Sequence, residues 1–172
     1  MKNIAAAANM SYQTLYNYFS TKAIIVQTIV LQDVASAAKK SEALIANYQT
    51  DPVDLIFRGA KLQLDMVSSR DRHLWREFVV EYLKQSQELV AAYEHTDVTA
   101  HARIQKALRT TQKKGHLHAE VDLEVLSNVV YNITEMAFLS YIMRPSLDKK
   151  TLMGNFRAQL AILLSPYLCN PD

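Results

Sequence analysis

A polar and aromatic segment near the start of the chain carries side chains that are suited to recognising another molecule. Positions 12 to 18 offer phenol, amide and hydroxyl groups, and a lysine follows four residues later. Burying so many hydrogen-bonding groups without partners would cost free energy, so most of them are expected to face outward. Exposed groups of these types donate to phosphate oxygens and reach base edges in a DNA groove. The candidate residues are Tyr12, Gln13, Thr14, Tyr16, Asn17, Tyr18 and Lys22.

Several of these groups match particular features of duplex DNA. Gln13 and Asn17 carry the amide geometry that pairs with adenine, and Thr14 offers a hydroxyl and a methyl group to thymine. No acidic residue precedes Asp33, so the only charged side chains before it are two lysines. A weakly positive end on a chain of net charge +2 favours a local phosphate contact. The segment is therefore a candidate insert for the major groove of double-stranded DNA.

Two short helices joined by a turn are predicted to hold this segment. Four alanines favour a first helix from Lys2 to Ala8, and Asn9 tolerates the left-handed backbone of a helix end. Ser11 is a suitable cap for a second helix over residues 12–18. Such a pair is either a helix-turn-helix or an ordinary corner between packed helices, in which some tyrosines would be packed inside. The apolar or small positions expected to pack the pair are Ile4, Ala5, Ala8, Met10, Leu15 and Phe19.

Residues 4–22 resemble the DNA-binding signature of the TetR family of bacterial transcriptional regulators, IA..AGVS..TLY.YF..K. The matching residues are Ile4, Ala5, Ala8, Ser11, Thr14, Leu15, Tyr16, Tyr18, Phe19 and Lys22. The resemblance implies DNA contacts at Thr14, Tyr16, Tyr18 and Lys22, and base choice at Tyr12 and Gln13. Asn9 replaces the usual turn glycine. The family has one more helix before this motif, and that helix is expected to be encoded upstream of Met1 or to be missing.

The rest of the chain is predicted to be helical. Only 3 Gly and 4 Pro occur among 172 residues, and apolar residues recur mostly at helical spacing. Helix starts are predicted at Ser20, Asp51-Pro52, Asp122 and about Asp148, and a polar helix is predicted to end at Gly115 after a possible interruption over 95–97. The fold class is therefore all-α. The family resemblance implies a helix-turn-helix DNA-binding region over 1–45 and a helical effector-binding and dimerisation region over 46–172. A single cysteine and the lack of any long apolar run predict a cytoplasmic protein without a membrane span.

The last two helices carry more apolar surface than one core needs, which is typical of a four-helix contact between the two subunits of a homodimer. The alternative is a monomer with a broad core. The residues predicted to form the dimer interface are Leu126, Val130, Ile133, Leu152, Phe156, Leu160 and Leu163, with Ala161, Ile162 and Leu164 adding further apolar surface.

A pocket for a small-molecule effector is also implied by the family resemblance. Methionines give adaptable walls, and aromatic residues give flat surfaces with polar tips. The candidate lining residues are Met66, Trp75, Phe78, Tyr82, Tyr131 and Met136, although side chains of these types often belong to an ordinary core.

Enzymatic function is not predicted. The four potential metal ligands between His116 and Asp122 alternate as they would on a strand, and surface histidines in a loop are usually solvated. No paired Glu-x-x-His motif, phosphate-binding glycine loop or nucleophile elbow is present. We therefore expect no cofactor and no metal. The sequence predicts a repressor that a small molecule releases from DNA, with two alternatives: a helical ligand-binding protein without DNA function, or a helical-bundle metalloenzyme.

Overall fold

The computed structural model of the chain describes residues 1–49, 51–84 and 87–169, and for residues 87–97 it describes the backbone. Within these residues the fold is all-α, as predicted, and its extended pairing is limited to a single bridge between Leu117 and Leu168. The helices are α1 (Lys2–Ala7), α2 (Tyr12–Tyr18), α3 (Lys22–Ala46), α4 (Pro52–Ser68), α5 (Arg72–Leu83), α6 (Gln87–Lys113), α7 (Leu123–Met143) and α8 (Lys149–Leu164), followed by a 3-10 turn at Ser165–Tyr167.

Most helix starts follow the local chemistry predicted from the sequence. The side chain of Asp51 accepts from the Val53 backbone ahead of Pro52, and Asp122 and Asp148 cap α7 and α8 in the same manner. The cap predicted for α3 is wrong by one residue, because the hydroxyl of Thr21, not Ser20, accepts from Ile24. The predicted interruption over 95–97 is also wrong: α6 runs without a break from residue 87 to residue 113.

The interior forms two adjoining apolar clusters. The first lies among the C-terminal part of α3 and helices α4, α6, α7 and α8, where Leu108, Val130 and Leu160 are fully buried. The second lies among the N-terminal half of α3 and helices α4, α5, α7 and α8, around Leu64 and Trp75. Helix α3 therefore contributes to both clusters, so the region predicted over 1–45 shares its longest helix with the body.

Helix α5 is fastened to the end of α7 by arginine side chains. The Arg72 guanidinium donates to the carbonyls of Arg144, Pro145 and Leu147 at 3.0, 3.1 and 2.9 Å, and it lies 3.7 Å from the centroid of the Tyr141 ring. These carbonyls belong to the segment that connects α7 to α8. The corner between α7 and α8 is therefore held against α5.

The residues predicted to form a dimer interface lie in the protomer's own core. Leu126, Val130, Leu152, Phe156 and Leu160 are buried, and Ile133 and Leu163 are half-buried against the same cluster. An apolar stripe on a bundle helix first fills the interior of its own subunit, so these residues contribute to the protomer's core, and their part in a dimer contact stays a prediction. None of the described helices combines the length and apolar character needed to cross a membrane.

Candidate nucleic-acid interface and ligand cavity

The first two helices form a compact unit joined by a strained turn residue. Asn9 has a φ of 52°, the left-handed conformation predicted for it, in which asparagine is better tolerated than most residues. Ser11 then caps α2 by accepting from the Thr14 backbone at 3.0 Å. Ala5 and Leu15 are buried where α1 and α2 meet. Of the other positions predicted to pack here, Ile4 and Phe19 are half-buried, whereas Ala8 and Met10 are exposed.

Leu15 is the one residue of α2 that the structure buries. Every other side chain of this helix is exposed, as is Lys22 at the start of α3. The exposed fractions of the three tyrosines are 44% at Tyr12, 47% at Tyr16 and 74% at Tyr18. This excludes the alternative in which these tyrosines are packed inside the subunit, and α2 presents its polar groups to solvent.

The exposed groups of α2 are organised by contacts among themselves. The amide nitrogen of Gln13 donates to the amide oxygen of Asn17 at 3.0 Å, so the two side chains lie side by side along the helix. The rings of Tyr12 and Tyr16 stack with centroids 6.0 Å apart and planes 28° apart. The Thr14 hydroxyl bonds to the hydroxyl of Ser11 at 2.7 Å, which leaves the Thr14 methyl group as the part free for an apolar contact.

Two ion pairs attach the N-terminal half of α3 to the α4–α5 region. Lys22 donates to the Glu77 carboxylate on α5 at 3.3 Å. Three helical turns further on, Asp33 receives two bonds from the Arg70 guanidinium, at 2.9 and 3.1 Å. Such a two-bond arrangement is geometrically more specific than a single contact. The Lys22–Glu77 pair thus holds the start of α3, which directly follows α2, against α5.

An exposed apolar face remains on the C-terminal helices. Its residues on α7 follow one another at intervals of four, seven, three and four positions, which places them on one side of the helix. Its members are Val125, Val129, Met136, Leu139 and Met143 on α7, together with Ile162 on α8, and their exposed fractions run from 37% to 76%. This face lies on a different side of α7 from the residues predicted as the interface.

A cavity opens among α3, α4, α6 and α7. The space open to the centres of water-sized molecules is about 50 Å³, and it reaches about 640 Å³ when all empty space out to the open mouth, solvent included, is counted. Small side chains create the space, chiefly Ala37, Gly59, Ala60, Ala100 and Ala107, and larger aliphatic residues complete the apolar wall. The polar groups that line it are Ser41, Gln63, Arg103, Tyr131, Thr134 and Glu135.

Of the six residues predicted to line a pocket, Tyr131 alone lines this cavity. Trp75 and Phe78 pack edge to face in the second core cluster, and the Trp75 indole donates to the carbonyl of Val67 at 3.0 Å. Met66 packs against the same cluster, Tyr82 is half-buried on α5, and Met136 is 61% exposed on the outer face of α7. These five residues do not line this cavity, because bulky side chains fill space, whereas a cavity forms where side chains are small. Their part in an effector pocket stays a prediction.

Arg103 was missed by the sequence analysis, although a signal for it exists. It lies between Ala100 and Ala107 on a face of α6 that is otherwise small and apolar, where a charged residue is unexpected. Burial lowers the pKa of Arg103, and the nearby carboxylate of Glu42 opposes that change. Among the side chains that the structure describes, no three His, Cys, Asp or Glu residues are placed to hold a metal ion.

The fold and the exposed α2 surface together define an all-α helix-turn-helix protein. Comparison with solved structures identifies the particular architecture. The chain aligns over 98% of its length, with a TM-score of 0.72 and 15% identity, to 86% of a chain from Mesorhizobium loti assigned to the TetR family of transcriptional regulators.

Two further structures share this architecture. Salmonella enterica GusR has a TM-score of 0.65 and 22% identity, with 96% of this chain and 84% of that one covered. The TetR-family transcriptional regulator PfmR from Thermus thermophilus has a TM-score of 0.61 and 18% identity, with 95% and 86% covered. At these identities the likeness shows the fold: this chain has the TetR-regulator fold. A scan against models of protein families and a search of curated proteins find no match.

Proposed function

We propose that this protein is a DNA-binding transcriptional repressor that acts as a cytoplasmic homodimer and is released from its operator by a small-molecule effector. The observation that carries the proposal is the exposure of the polar side chains of α2, a helix that buries only Leu15. A helix seven residues long spans about 10 Å, which fits the width of a major groove.

The side chains at and beside α2 fall into two groups, one suited to phosphate contacts that position the protein on DNA and one suited to reading bases. Lys22, Tyr16 and Tyr18 carry donors suited to phosphate oxygens, which fix the register of a protein on DNA. Gln13 and Asn17 form one amide pair whose remaining donor and acceptor groups suit the edge of an adenine. The Thr14 methyl suits the methyl group of thymine. These roles agree with those implied by the TetR signature in residues 4–22.

The exposed face of α7 and α8 supports the homodimer. Apolar residues such as Val125, Met136 and Ile162 would lose contact with water if two copies met there. Helices α7 and α8 from each copy would then form a four-helix contact. A twofold dimer of this kind presents two copies of α2, and on DNA they would enter major grooves about 34–36 Å apart.

The cavity supports the effector. Its walls include α3, and the same helix begins at Lys22 beside the DNA-binding unit. A ligand that binds better when α3 is displaced would favour a dimer in which the two copies of α2 have a different separation. The free energy available for release from DNA equals the difference between the ligand's binding free energies for that geometry and for the DNA-bound one.

Selection of bound sequences from a pool of random duplex DNA tests the proposal directly. We expect enrichment of a palindromic sequence, and fluorescence anisotropy should show it bound at least about a thousandfold more tightly than unrelated duplex. The measurement is made with this chain and with a form carrying any residues encoded in frame upstream of Met1. If neither form enriches a sequence at any salt concentration, the DNA-binding proposal is wrong and a ligand-binding protein without DNA function becomes the better description.

A further inference from the structure

Among the side chains that the structure describes, the cavity is lined by one cation whose charge is not fully balanced. Arg103 lines the cavity from α6, and Glu42 on α3 is the carboxylate that acts on it electrostatically. That carboxylate is already engaged, because the ammonium group of Lys106 binds it. Among the described side chains, two cations therefore share one anion at this edge of the cavity, and Arg103 carries the excess positive charge.

A second acidic group in the part of the cavity wall that the structure describes does not change this balance. Glu135 lines the α7 wall and takes part in an interaction of its own, and it is not among the groups that shift the pKa of Arg103. A half-buried guanidinium keeps its charge at every accessible pH, and burial without a full counterion is costly. A planar carboxylate would relieve this cost, since it accepts two parallel bonds from the guanidinium fork.

The remaining walls restrict the rest of the ligand. Apart from a few polar groups, they are built from alanine and larger aliphatic side chains such as Leu44, Ile56 and Ile104. A hydrocarbon or aryl body would be desolvated there, with a gain that scales with its apolar area. We infer that the cavity binds small carboxylic acids with an apolar body, the carboxylate pairing with Arg103 and the body lying against the aliphatic walls of α3 and α4.

This inference deepens the proposed effector role and rests on it only for the cavity's part in regulation. Isothermal titration calorimetry on the DNA-free protein tests it with benzoate, phenylacetate, hexanoate and octanoate, each compared with its neutral primary amide. We expect at least one carboxylate to bind with a Kd of about 1 mM or below, and its amide to bind about tenfold more weakly or worse. Loss of a charge-assisted pair is the cause of that difference.

Two variants locate the binding. Arg103→Gln should weaken the carboxylate by about tenfold or more while leaving the amide unchanged, because only the charged ligand uses the guanidinium. Arg109→Gln removes the same charge from the exposed side of α6 and should leave both affinities unchanged. If Arg103→Gln fails to fold, the comparison of carboxylate with amide on the unaltered protein decides alone.

Three outcomes would overturn the inference: no carboxylate of the set binds, the amides bind as well as the acids, or Arg103→Gln binds the acids as tightly as the unaltered protein. Failure of the proposed function is recognised separately. A carboxylate that binds through Arg103 but does not alter DNA affinity leaves the ligand class intact and removes the effector role. Absence of DNA binding removes the repressor role and leaves the calorimetric result as it stands.

Discussion

The ammonium group of Lys22 lies 3.3 Å from the Glu77 carboxylate, which joins the first turn of α3 to the middle of α5. The His73 imidazole lies 3.9 Å from the other oxygen of the same carboxylate. Because the two side chains of the Lys22–Glu77 pair are 59% and 37% exposed, the pair is worth little to stability. Its importance is that the lysine proposed to contact DNA phosphate has a competing partner inside the protein.

Replacing Glu77 with Gln should therefore tighten binding to operator DNA. Lys22 would no longer have to leave a carboxylate, and one negative charge near the phosphate backbone would be lost. We expect an increase in affinity of about two- to fivefold, in line with the small energy of an exposed pair. Fluorescence anisotropy at fixed salt measures it.

Glu81→Gln is the matched control for this change. It removes the same charge from the same helix, and Glu81 pairs with Lys84 rather than with Lys22. Its DNA affinity should remain close to that of the unaltered protein. Weaker binding by Glu77→Gln would show that the carboxylate holds Lys22 in its DNA-contacting position, opposite to the competition proposed here.

Substitutions at Lys22 and Gln13 should have different signatures. Lys22→Ala is expected to weaken binding to all sequences and to lower the slope of log affinity against log salt by about 1, because one phosphate contact is lost. Gln13→Ala should keep that slope and relax the preference at one base pair by about 1–3 kcal/mol. Anisotropy titrations on a set of singly altered operators, each at several salt concentrations, separate the two effects. Identical behaviour of the two variants would mean that α2 is oriented differently on DNA.

The structure of the α1–α2 unit could be predicted from the sequence because its geometry is encoded locally. The left-handed Asn9 and the cap at Ser11 depend on the chemistry of single residues and their immediate neighbours. The one buried position of α2, Leu15, likewise follows from its apolar character among polar neighbours. Such features depend on a few neighbouring residues and not on how the rest of the chain packs.

The dimer face and the cavity could not be located by the same reasoning. Helix α7 is apolar on two sides, and periodicity does not distinguish the side with Val130 in the core from the side with Met136 in solvent. The cavity depends on what is missing, since Gly59 and Ala100 leave space that only the packing of four helices encloses. Both features are set by tertiary packing, which acts between residues far apart in the chain.

Introducing a charge on the outer face of α7 should dissociate the proposed dimer. Met136 is 61% exposed in the protomer, so Met136→Glu leaves the fold intact but would bury an unpaired carboxylate in each half of a dimer contact. We expect the dimer affinity to fall by about a hundredfold or more, and operator binding to weaken with it. Light scattering coupled to size-exclusion chromatography at matched concentrations reports the change.

Val80→Glu is the control for charge and exposure. Val80 is 45% exposed and belongs to α5 rather than to α7 or α8, and its variant should keep the oligomeric state of the unaltered protein. A Met136→Glu variant that remains dimeric would place the subunit contact elsewhere. Dissociation of both variants would mean that added charge acts on the assembly without regard to position.

Asp65 on α4 pairs with Lys149 at the start of α8. This ion pair should make the free energy of unfolding depend on pH in the acid range. Burial raises the pKa of this carboxyl, but the hydrogen bonds and charges of Lys149 and Lys61 outweigh it, and the net pKa is lowered. The unfolded chain therefore takes up the proton first as pH falls. The stabilisation is complete above the unfolded pKa of about 3.9 and is lost as pH drops through the lower pKa of the folded state.

Asp65→Asn should accordingly lose up to about 1 kcal/mol of unfolding free energy at neutral pH, the upper range for a largely exposed pair. Its unfolding free energy should then fall less steeply than that of the unaltered protein below about pH 4. Urea unfolding at a series of pH values measures both curves, and repetition in about 1 M salt should bring them together by screening the lysines. Curves that stay parallel at every pH would show that Asp65 has the same proton affinity in the folded and unfolded chains, and that its ion pair with Lys149 contributes nothing to holding α8 against α4.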